Sequence, residues 1–83
     1  MKFNFHSDPG HGWLAVKRNE LIRLNILNKI SRYSYQKGNT VYLEEDCDAG
    51  VFMEAKKALG ETVTFKETYQ DNTPIRNYQQ FNP

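Results

Sequence analysis

Apolar and polar residues alternate near the N-terminus, which is the period of a half-buried β-strand. Phe3 and Phe5 fall on one face of the stretch 2–6, and the apolar stretch 13–16 follows after a Ser-Asp-Pro-Gly turn. Proline and glycine favour tight turns, so the two stretches predict a β-hairpin. The stretch 61–67 also alternates strictly and predicts a further strand, with two core-facing side chains, Val63 and Phe65.

The hydrophobic period changes to that of an α-helix in two places. Residues 18–24 predict a short helix, with Asn19 as its N-cap and Asn25 as its left-handed terminator. Residues 49–59 predict a second helix that is capped by Asp48 and ends before Gly60, while 26–30 form a connector that closes the core edge. The expected buried stripe of the second helix is Val51, Phe52, Ala55, Ala58 and Leu59, and its expected solvent side is Glu54, Lys56 and Lys57.

A central hairpin is predicted where two β-rich runs flank Gly38. A three-residue loop pairs Tyr33 with Val41 and places both Tyr33 and Tyr35 in the core. A two-residue loop instead places both tyrosines on the face of Tyr42 and Glu44, which creates an exposed aromatic face. Because the chain has few aliphatic residues to fill a core, we expect the three-residue loop.

Composition restricts the chain to one small domain. Of its 83 residues, 39% are hydrophobic, so the core is small and depends on five Phe, five Tyr and one Trp. We predict an α+β domain over 1–70, in which a mostly antiparallel sheet of about five strands carries two short helices on one face. Residues 71–83 are polar apart from Ile75, Tyr78 and Phe81, and we expect them to form a mobile tail.

Cysteine usage and the absence of long apolar runs indicate the compartment. Cys47 is the single cysteine, which excludes an internal disulfide and suits a reducing environment. No apolar run approaches the ~20 residues of a membrane span, and the N-terminus lacks the apolar region of a signal peptide. We therefore expect a cytoplasmic protein.

Four carboxylates within five residues are the sharpest chemical feature: Glu44, Glu45, Asp46 and Asp48. Hard cations prefer several oxygen ligands, but an EF-hand loop is excluded because its glycine position holds Val51 and its bidentate glutamate position holds Lys57. Carboxylates at a helix N-terminus also complement the helix dipole, which explains the cluster locally. As a surface, this acidic patch is the candidate contact for a basic partner protein.

A polar turn carries His6, Asp8 and His11. Two histidines and a carboxylate are a possible facial metal triad, although such turns are common on surfaces and nothing else in the sequence defines the geometry. No metal or other cofactor is therefore predicted. A nucleophilic Cys47 is also not supported, since no oxyanion-hole motif is present, and the residue is expected to be a small buried hydrophobe.

Basic residues concentrate in one part of the chain, although the overall charge is nearly balanced at eleven basic against ten acidic residues. Balanced charge argues against strong non-specific nucleic-acid binding. With Trp13, Tyr33 and Tyr35 as possible stacking platforms, the basic span is nevertheless the candidate nucleic-acid surface. Its members are Lys17, Arg18, Arg23, Lys29, Arg32 and Lys37.

Four segments carry a resemblance to a known family: FHSDPGHGWL at 5–14, ISRYSY at 30–35, VYLEEDCDA at 41–49 and PIRNY at 74–78. Together they resemble a family of small proteins encoded by bacteriophages, prophages and plasmids. Members more usually carry glycine at the position of Asn25, which agrees with a left-handed conformation there. The resemblance implies a mobile-element origin and a bacterial cytoplasm, but it carries over no catalytic residue, cofactor or partner.

These observations predict a non-enzymatic module that binds a host protein, as an inhibitor of a defence or nucleic-acid-processing enzyme of the anti-CRISPR or anti-restriction type. A nucleic-acid-binding accessory or regulatory protein is the second hypothesis. A metal-dependent enzyme that uses His6, Asp8 and His11 is the third. An open cavity lined by Trp13 and the tyrosines, with imidazole and carboxylate groups at its base, would favour chemistry over docking.

Overall fold

The structure, a computed structural model, describes residues 2–83 and has an α+β fold. A six-stranded sheet carries two helices, where the sequence predicts about five strands and two helices. Two 3₁₀ helices, Leu27–Lys29 and Pro74–Asn77, lie in the connections. The strands are β1 Lys2–Ser7, β2 Gly12–Lys17, β3 Tyr35–Lys37, β4 Thr40–Glu44, β5 Thr64–Tyr69 and β6 Gln79–Gln80, and the helices are α1 Arg18–Arg23 and α2 Asp48–Ala58.

The sheet is mixed, with the strand order β5-β1-β2-β4-β3-β6. The β1–β2 pair is the predicted hairpin, with Phe5 opposite Leu14. All neighbours are antiparallel except β1 and β5, which run parallel with Phe3 opposite Phe65. Strand β4 runs in the same direction as β1, and the crossover through α2 returns the chain so that β5 also runs in that direction. Strands β1 and β5 are therefore parallel.

The two faces of the sheet are covered differently. The face that we call the helix face carries Phe3 and Phe5, as predicted, and packs against the buried Leu21 of α1 and Phe52 of α2. Its other strand residues are Leu14, Val16, Val41 and Leu43. The opposite face, which we call the open face, has no α-helix over it and carries His6, Trp13, Ala15, Tyr35 and Tyr42.

The predicted N-caps of both helices are wrong, whereas the predicted terminator of α1 is confirmed. Helix α1 begins at Arg18 after Lys17, with no side-chain cap, so Asn19 lies inside the helix. Asn25 has a φ of 58°, which confirms the left-handed terminator. Helix α2 begins at Asp48, and the preceding Cys47 provides no side-chain cap. The Asp48 carboxylate, predicted to cap this helix, instead accepts a hydrogen bond from the hydroxyl of Ser31.

The predicted stripe of α2 is wrong at its C-terminal end. Leu59 is 57% exposed, whereas Lys56 is buried. Lys56 is accommodated because Glu20 and Glu61 contact its ammonium group. The two carboxylate partners offset the cost of desolvating the buried charge, and the hydrophobic pattern of α2 alone does not reveal such partners.

The prediction of a three-residue loop in the central hairpin is wrong. Lys37 pairs with Thr40 and Tyr35 with Tyr42, which leaves the two-residue loop Gly38-Asn39. Gly38 has a φ of 58°, the conformation that a tight two-residue turn needs at its first position. Tyr35 therefore lies on the open face, and Tyr33, before the strand, is 72% exposed.

Strand β5 begins at Thr64, later than predicted, and all its residues are exposed. Phe65, expected in the core, is 49% exposed. The strand lies at the outer edge of the sheet, where Phe65 and Met53 of α2 line a cavity of about 420 Å³.

Residues 71–83, expected to be a mobile tail, pack against the sheet in the structure. Thr73 and Ile75 are buried, and Phe81 joins the core cluster of the helix face. The backbone N–H of Phe81 donates to the carbonyl of Ser34, and Gln79–Gln80 form the edge strand β6. The three apolar residues of the segment pack in different places: Phe81 joins the core cluster, while Ile75 and Tyr78 lie beside Tyr42 on the open face.

Within residues 2–83, none of the helices has the length and apolar character needed to cross a membrane.

Candidate functional site

A pocket of about 340 Å³ opens at one end of the open face. Strands β2, β3 and β4 supply Trp13, Tyr35 and Glu44, because their registers point these side chains to the same side. The remaining lining residues come from turns and from the C-terminal segment: His11, Arg32, Tyr33, Asp46, Cys47, Arg76 and Gln80. The pocket therefore brings together members of the predicted acidic patch, the polar turn and the basic span. It also contains Arg76, which belongs to none of these three groups.

Trp13 lines this pocket, which we call the aromatic pocket, and is 2% exposed. Its ring meets Tyr35 edge-on at a centroid distance of 6.2 Å and His11 at 5.8 Å. The indole N–H of Trp13 has no acceptor among the described residues.

Arg76 is held over the Trp13 ring, at 5.5 Å from its centroid, by a two-pronged ion pair with Asp8. Nε donates to Oδ2 at 2.7 Å and Nη2 donates to Oδ1 at 2.8 Å. The backbone N–H groups of Gly10 and His11 also donate to Asp8. The Arg76 hydrogen bonds keep the pKa of Asp8 well below its usual range, so Asp8 is an anchor for the turn and for the C-terminal segment.

Glu44 is 8% exposed and lacks a strong cationic partner. Among the described residues, the basic group within 4 Å of its carboxylate is His11, whose Nδ1 lies 3.7 Å from Oε1. The other oxygen, Oε2, accepts a hydrogen bond from the backbone N–H of Asp46 at 2.9 Å. His11 itself is 48% exposed in its side chain, so the imidazole lies at the rim of the pocket.

Asp48 organises the loop behind the pocket. Its buried carboxylate accepts hydrogen bonds from the backbone N–H and the hydroxyl of Ser31, at 3.0 and 2.7 Å, and from the hydroxyl of Ser34. Ser34 in turn accepts from the backbone N–H of Glu44 at 3.0 Å. These bonds hold the loop that carries Arg32 and Tyr33 against β4.

The predicted acidic patch is divided between different environments. Glu44 and Asp48 are buried, and only Glu45 and Asp46 are exposed. Within residues 2–83, no cluster of three or more His, Cys, Asp or Glu side chains is arranged to hold a metal ion. The structure therefore does not bring His6, Asp8 and His11 together as a metal triad.

Cys47 is exposed, where the sequence predicts a buried hydrophobe. Desolvation raises the pKa of its thiol, and the nearby Glu44 and Asp48 charges raise it further. The thiol is thus disfavoured as a nucleophile at neutral pH, because the thiolate is the reactive form.

The six predicted basic residues do not form one surface. Arg18 lies over the Phe81 ring and donates to the carbonyl of Asn82, while Arg23 pairs with acidic residues near α1. Arg32 lines the aromatic pocket. The lysines are all exposed, and two of them, Lys17 and Lys37, lie on the open face, away from Lys29.

Arg76 is the functional candidate that the sequence does not indicate. It lies outside the basic span and 68 positions from its partner Asp8, so no local pattern joins them. Only the return of the C-terminal segment over the open face makes it part of the pocket. No family model, curated protein or solved structure matches the chain.

Proposed function

We propose that this protein is a non-enzymatic binding module and that a partner protein inserts a basic side chain into the aromatic pocket. The observation that carries the proposal is Glu44, a nearly buried carboxylate whose nearest basic group is a rim histidine at 3.7 Å. Buried carboxylates are normally paired with a cation, and here the pairing group would come from the partner.

The walls of the pocket suit such a side chain. Tyr33 and Tyr35 present aromatic surface in the pocket that Glu44 lines, and cations bind favourably over aromatic faces, whereas the Trp13 ring below them is 2% exposed and already carries Arg76. Of the two arginines that line the pocket, Arg76 does not oppose this charge because Asp8 neutralises it, and Arg32 is exposed to solvent. A guanidinium group adds planar, two-pronged hydrogen bonding to a carboxylate, so arginine fits better than lysine.

The pocket also contains an imidazole and a carboxylate, the pair that would favour an enzyme. His11 stands at the rim, and its Nδ1 is 3.7 Å from Glu44, beyond hydrogen-bond distance. The adjacent Cys47 thiol has a raised pKa. This arrangement supports a binding role better than nucleophilic catalysis.

The proposed partner is a host protein, and the proposed effect is inhibition of a defence or nucleic-acid-processing enzyme. The resemblance to phage, prophage and plasmid proteins supports a host target. Nucleic-acid-processing enzymes present basic grooves rich in arginine, which supplies the side chain that the aromatic pocket needs.

Fluorescence of Trp13, the only tryptophan, tests the pocket directly. Short peptides that contain arginine should shift the emission in a saturable way, whereas the same peptides with citrulline, the neutral analogue, should bind about tenfold more weakly. Glu44→Gln should abolish the preference for arginine. Glu54→Gln, at an exposed position of α2, is the matched control and should behave as the wild type.

Partner capture from a bacterial extract provides the second readout. The captured protein should be lost with Glu44→Gln and retained with Glu54→Gln, and a free arginine peptide should compete for it. Equal binding of the arginine and citrulline peptides, or capture that is indifferent to Glu44, would show that the proposal is wrong.

A further inference from the structure

We infer that the opposite end of the open face binds single-stranded nucleic acid through a lysine patch, defined as Lys2, Lys17, Lys37 and Lys66. This surface is separate from the aromatic pocket, and the inference does not depend on the proposed function. Two of its lysines, Lys2 and Lys66, lie outside the basic span of the sequence.

The strand registers bring the four lysines to one face. Lys66 is opposite Asn4 on β1, and Asn4 is opposite Ala15 on β2. Lys17 and Lys37 are both opposite Thr40 of β4. Continuing the β1–β2 register places Lys2 level with Lys17, and both line one shallow depression of about 330 Å³.

The charged side chains that the strand registers place at this end of the open face are all basic. None of the residues that line the depression is acidic. Glu44 is the acidic residue that the strand registers of residues 2–83 place on the open face. It lies at the other end of that face, where it pairs with Trp13. A positive field without internal neutralisation attracts a polyanion, even though the formal net charge of the chain is only +1.

All four lysines are exposed, and two of them make weak contacts. Lys17 donates to Thr40 at 3.3 Å, and the ammonium of Lys37 lies 4.8 Å from the Tyr78 ring centroid. Adjacent strands are about 4.8 Å apart, so Lys2, Lys17 and Lys37 span about 14 Å across the sheet. Several phosphates of one strand can therefore contact them at the same time.

Aromatic rings border the lysine patch and favour nucleic acid over an acidic protein. His6 and Tyr42 line depressions beside the lysines, at 6.0 Å between ring centroids, and Tyr78 packs on Tyr42 at 5.2 Å. Unstacked bases can reach such rings, whereas the bases of a duplex cannot. A sheet face that carries both lysines and rings therefore fits a single strand.

Fluorescence anisotropy with labelled oligothymidylate and oligouridylate at low salt is the test. The double variant Lys17→Gln/Lys66→Gln should bind about tenfold more weakly, and its slope of log affinity against log salt should fall by about 1.4, or 0.7 for each of two phosphate contacts. The control Lys29→Gln/Lys57→Gln removes two exposed lysines elsewhere and has the same net charge, so its affinity should change by less than about twofold.

Glu44→Gln should leave oligonucleotide binding unchanged, which separates this test from that of the aromatic pocket. The inference is wrong if both lysine pairs weaken binding equally, since net charge alone would then explain it. It is also wrong if a duplex or vesicles of anionic lipid bind the patch as tightly as single strands, or if no oligonucleotide binds at low salt.

Discussion

A network of four charged side chains joins α1 to the end of α2. The ammonium of Lys56, 1% exposed, contacts Glu20 and lies 2.7 Å from Glu61. Arg23 pairs with the same two carboxylates, at 2.8 Å in each case. At the scale of single residues, ion pairing thus allows Lys56 to be buried at a position where the hydrophobic period of α2 predicts a solvent-exposed side chain.

Glu20 should give the protein a measurable acid sensitivity. The Arg23 hydrogen bond, with further help from Lys56, lowers the pKa of Glu20 from 4.5 to about 2. A group with a lowered folded-state pKa adds stability above its unfolded value and loses it as the pH falls. We expect the free energy of unfolding to decrease between pH 4.5 and about 2.

Chemical denaturation of the wild type and of Glu20→Gln over a pH series measures this effect. The difference in unfolding free energy should be largest near neutral pH and should close near pH 2, where Glu20 is half protonated or more. A difference that stays constant across the series would contradict the assignment.

Lys56→Ala should destabilise the fold far more than Lys57→Ala, one position away. Lys56 is buried beside the rings of Phe3 and Phe52, whereas Lys57 is exposed. We expect a loss of about 2 kcal/mol for Lys56→Ala, below the range for fully buried pairs because Arg23 still compensates both carboxylates, and less than about 0.5 kcal/mol for Lys57→Ala. Urea denaturation of both variants gives the comparison, and equal losses would place Lys56 on the surface.

At the scale of elements, the C-terminal segment completes the sheet by packing against strands that are distant from it in sequence. Its 3₁₀ helix Pro74–Asn77 covers one part of the open face, and β6 then adds to the edge of the sheet. Asp8 anchors Arg76, and Gln36 accepts a hydrogen bond from the backbone N–H of Asn82 at 3.0 Å. The segment is therefore part of the domain in this structure.

Phe81→Ala should destabilise the protein by about 3 kcal/mol, the cost of removing a buried aromatic side chain. Phe81 is 1% exposed and packs in the core cluster of the helix face. Asn77→Ala, at an exposed position in the same segment, should change stability by less than about 0.5 kcal/mol. Thermal and urea unfolding measure both, and a neutral Phe81→Ala would mean that the segment does not dock.

The whole molecule is layered unevenly, with a covered helix face, a largely uncovered open face, and a β5 edge in solvent. Positive charge gathers at one end of the open face and the aromatic pocket lies at the other. This polarity would allow two different partners to bind without overlap.

Amide hydrogen exchange should follow the same layering. Strands β2 and β4 are central and largely buried, so their amides should exchange slowest. Strand β5, paired only on one side and exposed throughout, should exchange fastest among the strands longer than three residues. Protection of β5 equal to that of β2 would indicate that its free edge is covered in solution.

Local patterns determined the elements whose pairing partners are close in sequence. The alternation around Phe3 and Phe5 and the Pro-Gly turn determined the first hairpin, and Asn25 ended α1 because a short polar side chain tolerates the left-handed conformation. The period of 3.6 residues placed α2 over the sheet. These features depend on sterics and hydrophobic period, which a sequence displays directly.

Tertiary structure decided the features that depend on contacts between distant residues. Lys56 faces inward because Glu20 and Glu61 lie there, and Arg76 enters the aromatic pocket because Asp8 holds it. A one-residue difference in loop length turned Tyr35 to the open face, since successive side chains on a strand point to opposite sides. The physical reason is common to all three: charge compensation and strand register are properties of pairs, and a pattern along one segment does not contain its partner.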